Sequence, residues 1–245
     1  MTSSLTLRHP WLEGGYTDVG DQQWVSLTTT LSSFSNPVVF VSLPDIPGET
    51  SNDGYPAIPR VRNIINTGRV SFQVKIYQAN DSHCSKQWHI PTAIPGLRVS
   101  WLVAEKGAYN ITGKYIFIGS GPIARLNSDG TDQRNYVRFN YPVGCGSPTT
   151  TCAFTTSKVG FVAQLQTLNN DELLIPRGYT VQRRFLRAIL QPHDSIDSSY
   201  YTISTETLAY MAFPNDMQIG CVEGMSFESH NYTGVTNIKL YVKYF

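Results

Sequence analysis

Charge is scarce in this sequence. Lys, Arg, Asp and Glu make up 15% of the 245 residues, and the formal net charge is +1. A field that weak gives no electrostatic reason to expect nucleic acid or an anionic membrane surface as partner. Long apolar runs are missing as well. None approaches the roughly 18 residues a membrane span needs, so no membrane insertion is expected. The start, MTSSLTLRHPWLEGG, has no basic segment followed by an apolar block, so no signal peptide is visible. Either a leader lies outside this sequence or the chain is not exported by that route. Helix signals are nearly absent too, since no capped apolar stretch with a 3.6-residue period runs for ten residues or more.

What is present is β-rich. Hydrophobic residues reach 41% and aromatic residues 12%, a globular composition with enough chain for a substantial core. Short β-rich runs recur between turn residues: WVSLTTTL, SNPVVFVSL, RVSFQVKIYQ, LRVSWLVAE, GKYIFIGSG, NYVRFNY, VGFVAQLQTL, RRFLRAILQ, YYTISTETLAYMAF and NIKLYVKYF. In RVSFQVKIYQ the residues Val70, Phe72, Val74 and Ile76 fall on one face. The pattern predicts an all-β fold of antiparallel sandwiches, each sheet with one buried face.

An internal repeat predicts two such units. FQVKIYQANDS (Phe72 to Ser82) aligns without gaps on FLRAILQPHDS (Phe185 to Ser195). NPVVFVSL has a counterpart in KVGFVAQL, and LRVSWLVAE in TETLAYMAF, all in the same order. The reading is two tandem sandwiches, residues 1–112 and 113–245. Their boundary falls in the stretch between Asn110 and Thr131, and a C-terminal hairpin closes the second.

Four cysteines, Cys84, Cys145, Cys152 and Cys221, permit up to two disulfides, and Cys145 and Cys152 bracket a GSPTTT loop that a disulfide could staple. Three sequons begin at Asn80, Asn110 and Asn231. Together these predict an extracellular or surface-exposed protein. HCSKQWH (His83 to His89) has no second Cys/His pair at a usual spacing, so no metal is expected, and no cofactor motif is visible. GSGP (Gly119 to Pro122) lacks the helix that a phosphate loop requires. No nucleophile elbow or comparable context supports a catalytic triad, so the chain is not expected to be an enzyme.

Four short elements then line up in one order: GDQQW (Gly20 to Trp24), FSNPVVFVSL (Phe34 to Leu43), PRVR (Pro59 to Arg62), and QWH (Gln87 to His89) followed by VSWLVAE. This ordered set resembles the H-type lectin domain, the family of the snail agglutinins and of the C-terminal domain of the discoidins. The likeness covers roughly Thr17 to Tyr109. It implies a six-stranded antiparallel sandwich, a homo-oligomer (a trimer) and a non-enzymatic galactose or N-acetylgalactosamine site between subunits. Carried across, the site residues would be Gly20 and Asp21 in the turn, Arg60, and the Trp88-His89 pair. Arg62 competes with Arg60, because two extra residues separate this arginine from Phe72. A tyrosine that the family places soon after the Trp-His pair has no counterpart in IPTAIPG.

The chemistry suits a sugar. A carboxylate such as Asp21 accepts from two hydroxyls, an arginine donates charge-assisted bonds, Trp88 covers a C–H patch, and His89 gives one donor and one acceptor. Structural readings stand beside these: Trp88 could plug the end of the sandwich, Asp21 could serve its turn alone, and Arg60 and Arg62 could be solvated residues on one strand face. A different class of function is a structural subunit of an extracellular or viral assembly, such as a capsid, tail, fibre or surface filament, built from the same sandwiches.

Overall fold

The computed structural model describes residues 7–9, 11–19, 23–31, 34–42, 57–78, 98–111, 114–124, 136–143, 152–155, 159–170, 174–192, 204–214, 220–222 and 225–227. Among these the chain is all-β and has no helix. The strands are β1 (Leu7–His9), β2 (Leu12–Asp18), β3 (Val25–Thr28), β4 (Pro37–Ser42), β5 (Ala57–Asn66), β6 (Val70–Gln78), β7 (Arg98–Glu105), β8 (Gly107–Ile111), β9 (Lys114–Ile123), β10 (Val137–Asn140), β11 (Val159–Leu165), β12 (Leu174–Val181), β13 (Phe185–Pro192), β14 (Glu206–Pro214), β15 (Gly220–Val222) and β16 (Met225–Phe227). Every pairing between them is antiparallel. The expected last strand, NIKLYVKYF, lies outside the described residues.

The alternation in β6 does what its sequence predicts. Val70, Phe72, Val74 and Ile76 are all buried, facing Val39, Val99, Trp101 and Val103 across a core between sheets β3-β6-β5 and β1-β2-β7-β4. The tight link from β5 to β6 passes through Gly68 at φ 100°, a left-handed position that glycine occupies without strain. A second core fills the space between β10-β13-β12 and β11-β14-β9-β8, built on Phe117, Leu165, Leu186, Leu190, Leu208 and Tyr210.

A third core joins the two sheet pairs. Leu12, Val38, Phe40, Leu102 and Ala104, on the back of the first four-stranded sheet, meet Ile116, Ile118, Ala209, Met211 and Phe213 on the back of the second. Strands β4, β7, β9 and β14 therefore contribute to cores on both faces. This is why PVVFV, WLVA, YIFI and LAYMAF read as continuous apolar runs and not as alternations. Trp11 stacks on Tyr109 at 4.0 Å and 13° beside this core. The Tyr109 hydroxyl donates to the Glu105 carbonyl, and burial, helped by the Glu105 charge, pushes its pKa up to about 12.

Strand order repeats. The run β1 to β7 builds sheets β1-β2-β7-β4 and β3-β6-β5; the run β8 to β14 builds β8-β9-β14-β11 and β10-β13-β12, strand for strand the same. The order turns over at Lys106. The strands aligned in sequence, β6 with β13 and β4 with β11, are equivalent in the sheets, but the gap-free match of β6 on β13 is one residue out. Phe72 points into its core, whereas Phe185 points outward and Leu186 points in. A slip of one residue exchanges the two faces of a strand.

Buried or half-buried carboxylates serve the loops. Glu13 accepts from the Thr30 and Leu31 amides, Glu105 from Ser35 and Asn36, and Glu206 from Asn169 and Asn170. In each case one side chain satisfies two successive N–H groups that a turn leaves unpaired.

Candidate functional site

The outward face of β3-β6-β5 carries a polar row in strict register. Ser26 is the partner of Gln73, and Gln73 is the partner of Arg62. Gln73 donates through Nε2 to Ser26 Oγ at 3.2 Å. Its Oε1 accepts from Arg62 Nε at 2.9 Å and from Asn63 Nδ2 at 3.0 Å. The Arg62 guanidinium lies over the Trp24 ring, 3.9 Å from its centroid. One glutamine thus fixes an arginine and an asparagine side by side, and the indole supports the arginine from its other side.

Asn63 sits at a β-bulge, where the β5-β6 register shifts between Arg62 and Ile65, and its φ is 52°. Asparagine tolerates this left-handed geometry better than most side chains. The bulge turns Arg62, Asn63 and Ile64 toward an open cleft of about 510 Å³ at the junction of the two sheet pairs. Its opposite wall includes Ser120, Asn169 and Thr207, and Lys106 also lines it. Amides, hydroxyls and two cations are donors and acceptors in the mixture that a polyhydroxylated ligand requires.

The cleft stands on a buried polar network. Arg60, 1% exposed, faces Glu206, 0% exposed, at 3.5 Å, and its Nη2 donates to the Thr167 carbonyl at 3.1 Å. Glu206 also accepts from the Thr167 hydroxyl and from both nitrogens of Asn170. Beside it, Gln166 acts as a surrogate peptide for edge strand β4. Its Oε1 accepts from the Val39 amide and its Nε2 donates to the Val39 carbonyl, both at 2.7 Å. Such a cap removes the open pairing site of an edge strand. Gln166→Ala should cost about 1–3 kcal/mol by leaving both Val39 groups unpaired. Urea unfolding measures the loss, and faster hydrogen exchange at the Val39 amide assigns it; unchanged exchange there would refute the cap.

Of the sequence-predicted site residues, Gly20, Asp21, Trp88 and His89 lie outside the described residues. Arg60 is turned inward to its ion pair with Glu206. Arg62, the competing arginine, lines the cleft and stacks on Trp24, three residues after Asp21. Gln73, Asn63 and Asn169 did not stand out in sequence; the available signal was a glutamine and an asparagine interrupting apolar strands. Among the described residues no group of three His, Cys, Asp or Glu side chains could hold a metal ion. Cys152 is disulfide-bonded, and Cys145, with which it brackets the predicted loop, lies outside the described residues. Comparison with family models, with curated proteins and with solved structures found no match to this chain.

Proposed function

We propose that the protein is a non-enzymatic carbohydrate-binding protein, two tandem H-type-lectin-like sandwiches that gain avidity by oligomerising. Galactose or N-acetylgalactosamine is the sugar class the resemblance favours. The observation that carries the reading is the Ser26–Gln73–Arg62 row, with Asn63 and Trp24, beside the polar cleft. Arg62 is the arginine assigned to the sugar, and Gly20, Asp21, Trp88 and His89 are its proposed companions. Individual sites of this kind are shallow and weak, so multivalency supplies the useful affinity. The Cys152 disulfide supports an oxidising, extracellular setting.

A glycan array followed by calorimetry tests the assignment. Arg62→Ala and Asn63→Ala should each weaken the best glycan about tenfold or more, the scale of one lost charge-assisted or buried hydrogen bond. Undiminished binding by both variants would remove the site from this face.

A second reading, a structural subunit of a larger assembly, is favoured by the third core. Two sheets packed back to back make a thick block suited to stacking. Native mass measurement and imaging separate the readings: a small closed oligomer that binds glycans supports the first, and an open lattice without glycan binding supports the second.

A further inference from the structure

We propose that the outward face of β13, with its hairpin, is a second binding site, one that takes the sulfate groups of an acidic polysaccharide. Arg138 on β10 and Arg187 on β13 are register partners, so their side chains leave the same sheet face next to one another. Like charges placed opposite each other across two strands repel. Among the described residues no carboxylate pairs with either arginine to relieve that repulsion. Arg138 Cζ is 4.0 Å from the centroid of the Phe185 ring and Arg187 Cζ is 5.5 Å from it. Arg138 Nε donates to Asn140 Oδ1 at 2.9 Å.

Phe185 links this pair to two more arginines. With Arg183 and Arg184, both exposed, it lines a hollow of about 510 Å³ at the hairpin. Arg183 Nε donates to the Phe154 carbonyl at 2.8 Å, which anchors its side chain. Among the described residues none of the four forms an ion pair, whereas Arg60 does. The partners of Arg138, Arg187 and Arg183 are a ring, an amide oxygen and a carbonyl, all of which orient a guanidinium without neutralising it. Two guanidiniums over the Phe185 ring, the anchored Arg183 and the exposed Arg184 beside it, none of them in an ion pair among the described residues, are a local excess of charge in a chain whose net charge is +1. A tetrahedral oxyanion accepts paired N–H groups from such forks and removes the repulsion.

The observations favour a sulfated polysaccharide over nucleic acid. The Phe185 ring already carries a guanidinium at 4.0 Å, and single-stranded nucleic acid binding relies on open aromatic faces for stacking bases. Duplex binding relies on a broad basic surface, which a chain of balanced charge lacks. The site lies on a different sheet from the Ser26–Gln73–Arg62 row and does not rest on that assignment.

The test is calorimetry with a heparin-derived octasaccharide at about 0.15 M salt, where distant surface charges are largely screened. The wild-type chain should bind it. Arg138→Lys/Arg187→Lys should weaken binding about tenfold, because lysine keeps the charge but loses the planar fork. Arg183→Gln/Arg184→Gln should weaken it as much, while Arg62→Ala leaves it unchanged. Circular dichroism and thermal unfolding verify that each variant folds. Full binding by the lysine variant, equal competition by a single-stranded oligonucleotide or a DNA duplex, or no binding by the wild-type chain would each overturn the proposal.

Discussion

Glu206→Ala should destabilise the protein by about 3–5 kcal/mol, the usual cost of removing one partner from a buried ion pair. The mutation removes the carboxylate that faces the buried Arg60 guanidinium. It also frees the Thr167 hydroxyl and the Asn169 and Asn170 amides that the carboxylate holds. Arg60→Met should cost less, because Glu206 keeps those donors and methionine refills much of the volume. The asymmetry is the diagnostic feature. Urea unfolding of both single variants and of the double variant measures it. A Glu206→Ala loss below about 1 kcal/mol, or equal losses at the two positions, would mean the pair is not the keystone of the junction. Because Thr167 and Asn169 line the cleft above, a Glu206→Ala chain that still folds should also bind glycans more weakly.

The strands were legible because period-two patterning is local. RVSFQVKIYQ gave the inward face of β6 correctly from four residues. Phase across a repeat was less legible: Phe72 and Phe185 match by identity but face opposite ways, since composition marks a strand without fixing which parity is inside. The third core was invisible for a related reason. A run such as LAYMAF announces burial on both sides, but not that its second face meets another sheet of the same chain. Arg60 was the hardest residue. Alternating with apolar neighbours, it reads as a solvated position, and its partner Glu206 stands in another strand far along the chain. One clue was present: the tripeptide Ile-Pro-Arg occurs at Ile58–Arg60 and again at Ile175–Arg177, on equivalent strands β5 and β12. The glutamines of QLQ, Gln164 and Gln166, are both buried and bonded to the backbones of Pro59 and Val39, which their polar character alone does not announce.

The same repeat supplies the second large effect. On each central strand an aromatic ring lies over a glycine that is its direct cross-strand partner: Trp101 over Gly15, and Tyr210 over Gly119. A Cβ at Gly15 would lie 2.7 Å from Trp101 Cζ2, and one at Gly119 would lie 2.4 Å from the Tyr210 hydroxyl oxygen. Neither ring can easily move away. Trp101 packs edge-on against Phe72 with centroids 5.7 Å apart, and Tyr210 likewise against Phe139 at 5.8 Å. The Tyr210 hydroxyl also donates to the Asn140 carbonyl at 2.8 Å. Truncating either ring to alanine should cost about 3–5 kcal/mol through the cavity it opens. Gly15→Ala and Gly119→Ala should cost about 1–3 kcal/mol by overpacking. The decisive measurement is the double-mutant cycle. In a Trp101→Ala background the added methyl at Gly15 meets empty space, so its penalty should vanish, giving a coupling as large as that penalty, about 1–3 kcal/mol. The Gly119/Tyr210 cycle should give a coupling of the same sign. Additivity within about 0.5 kcal/mol in both cycles would show that ring and glycine tolerate change independently, and that the close approach is not what requires glycine at these two equivalent positions.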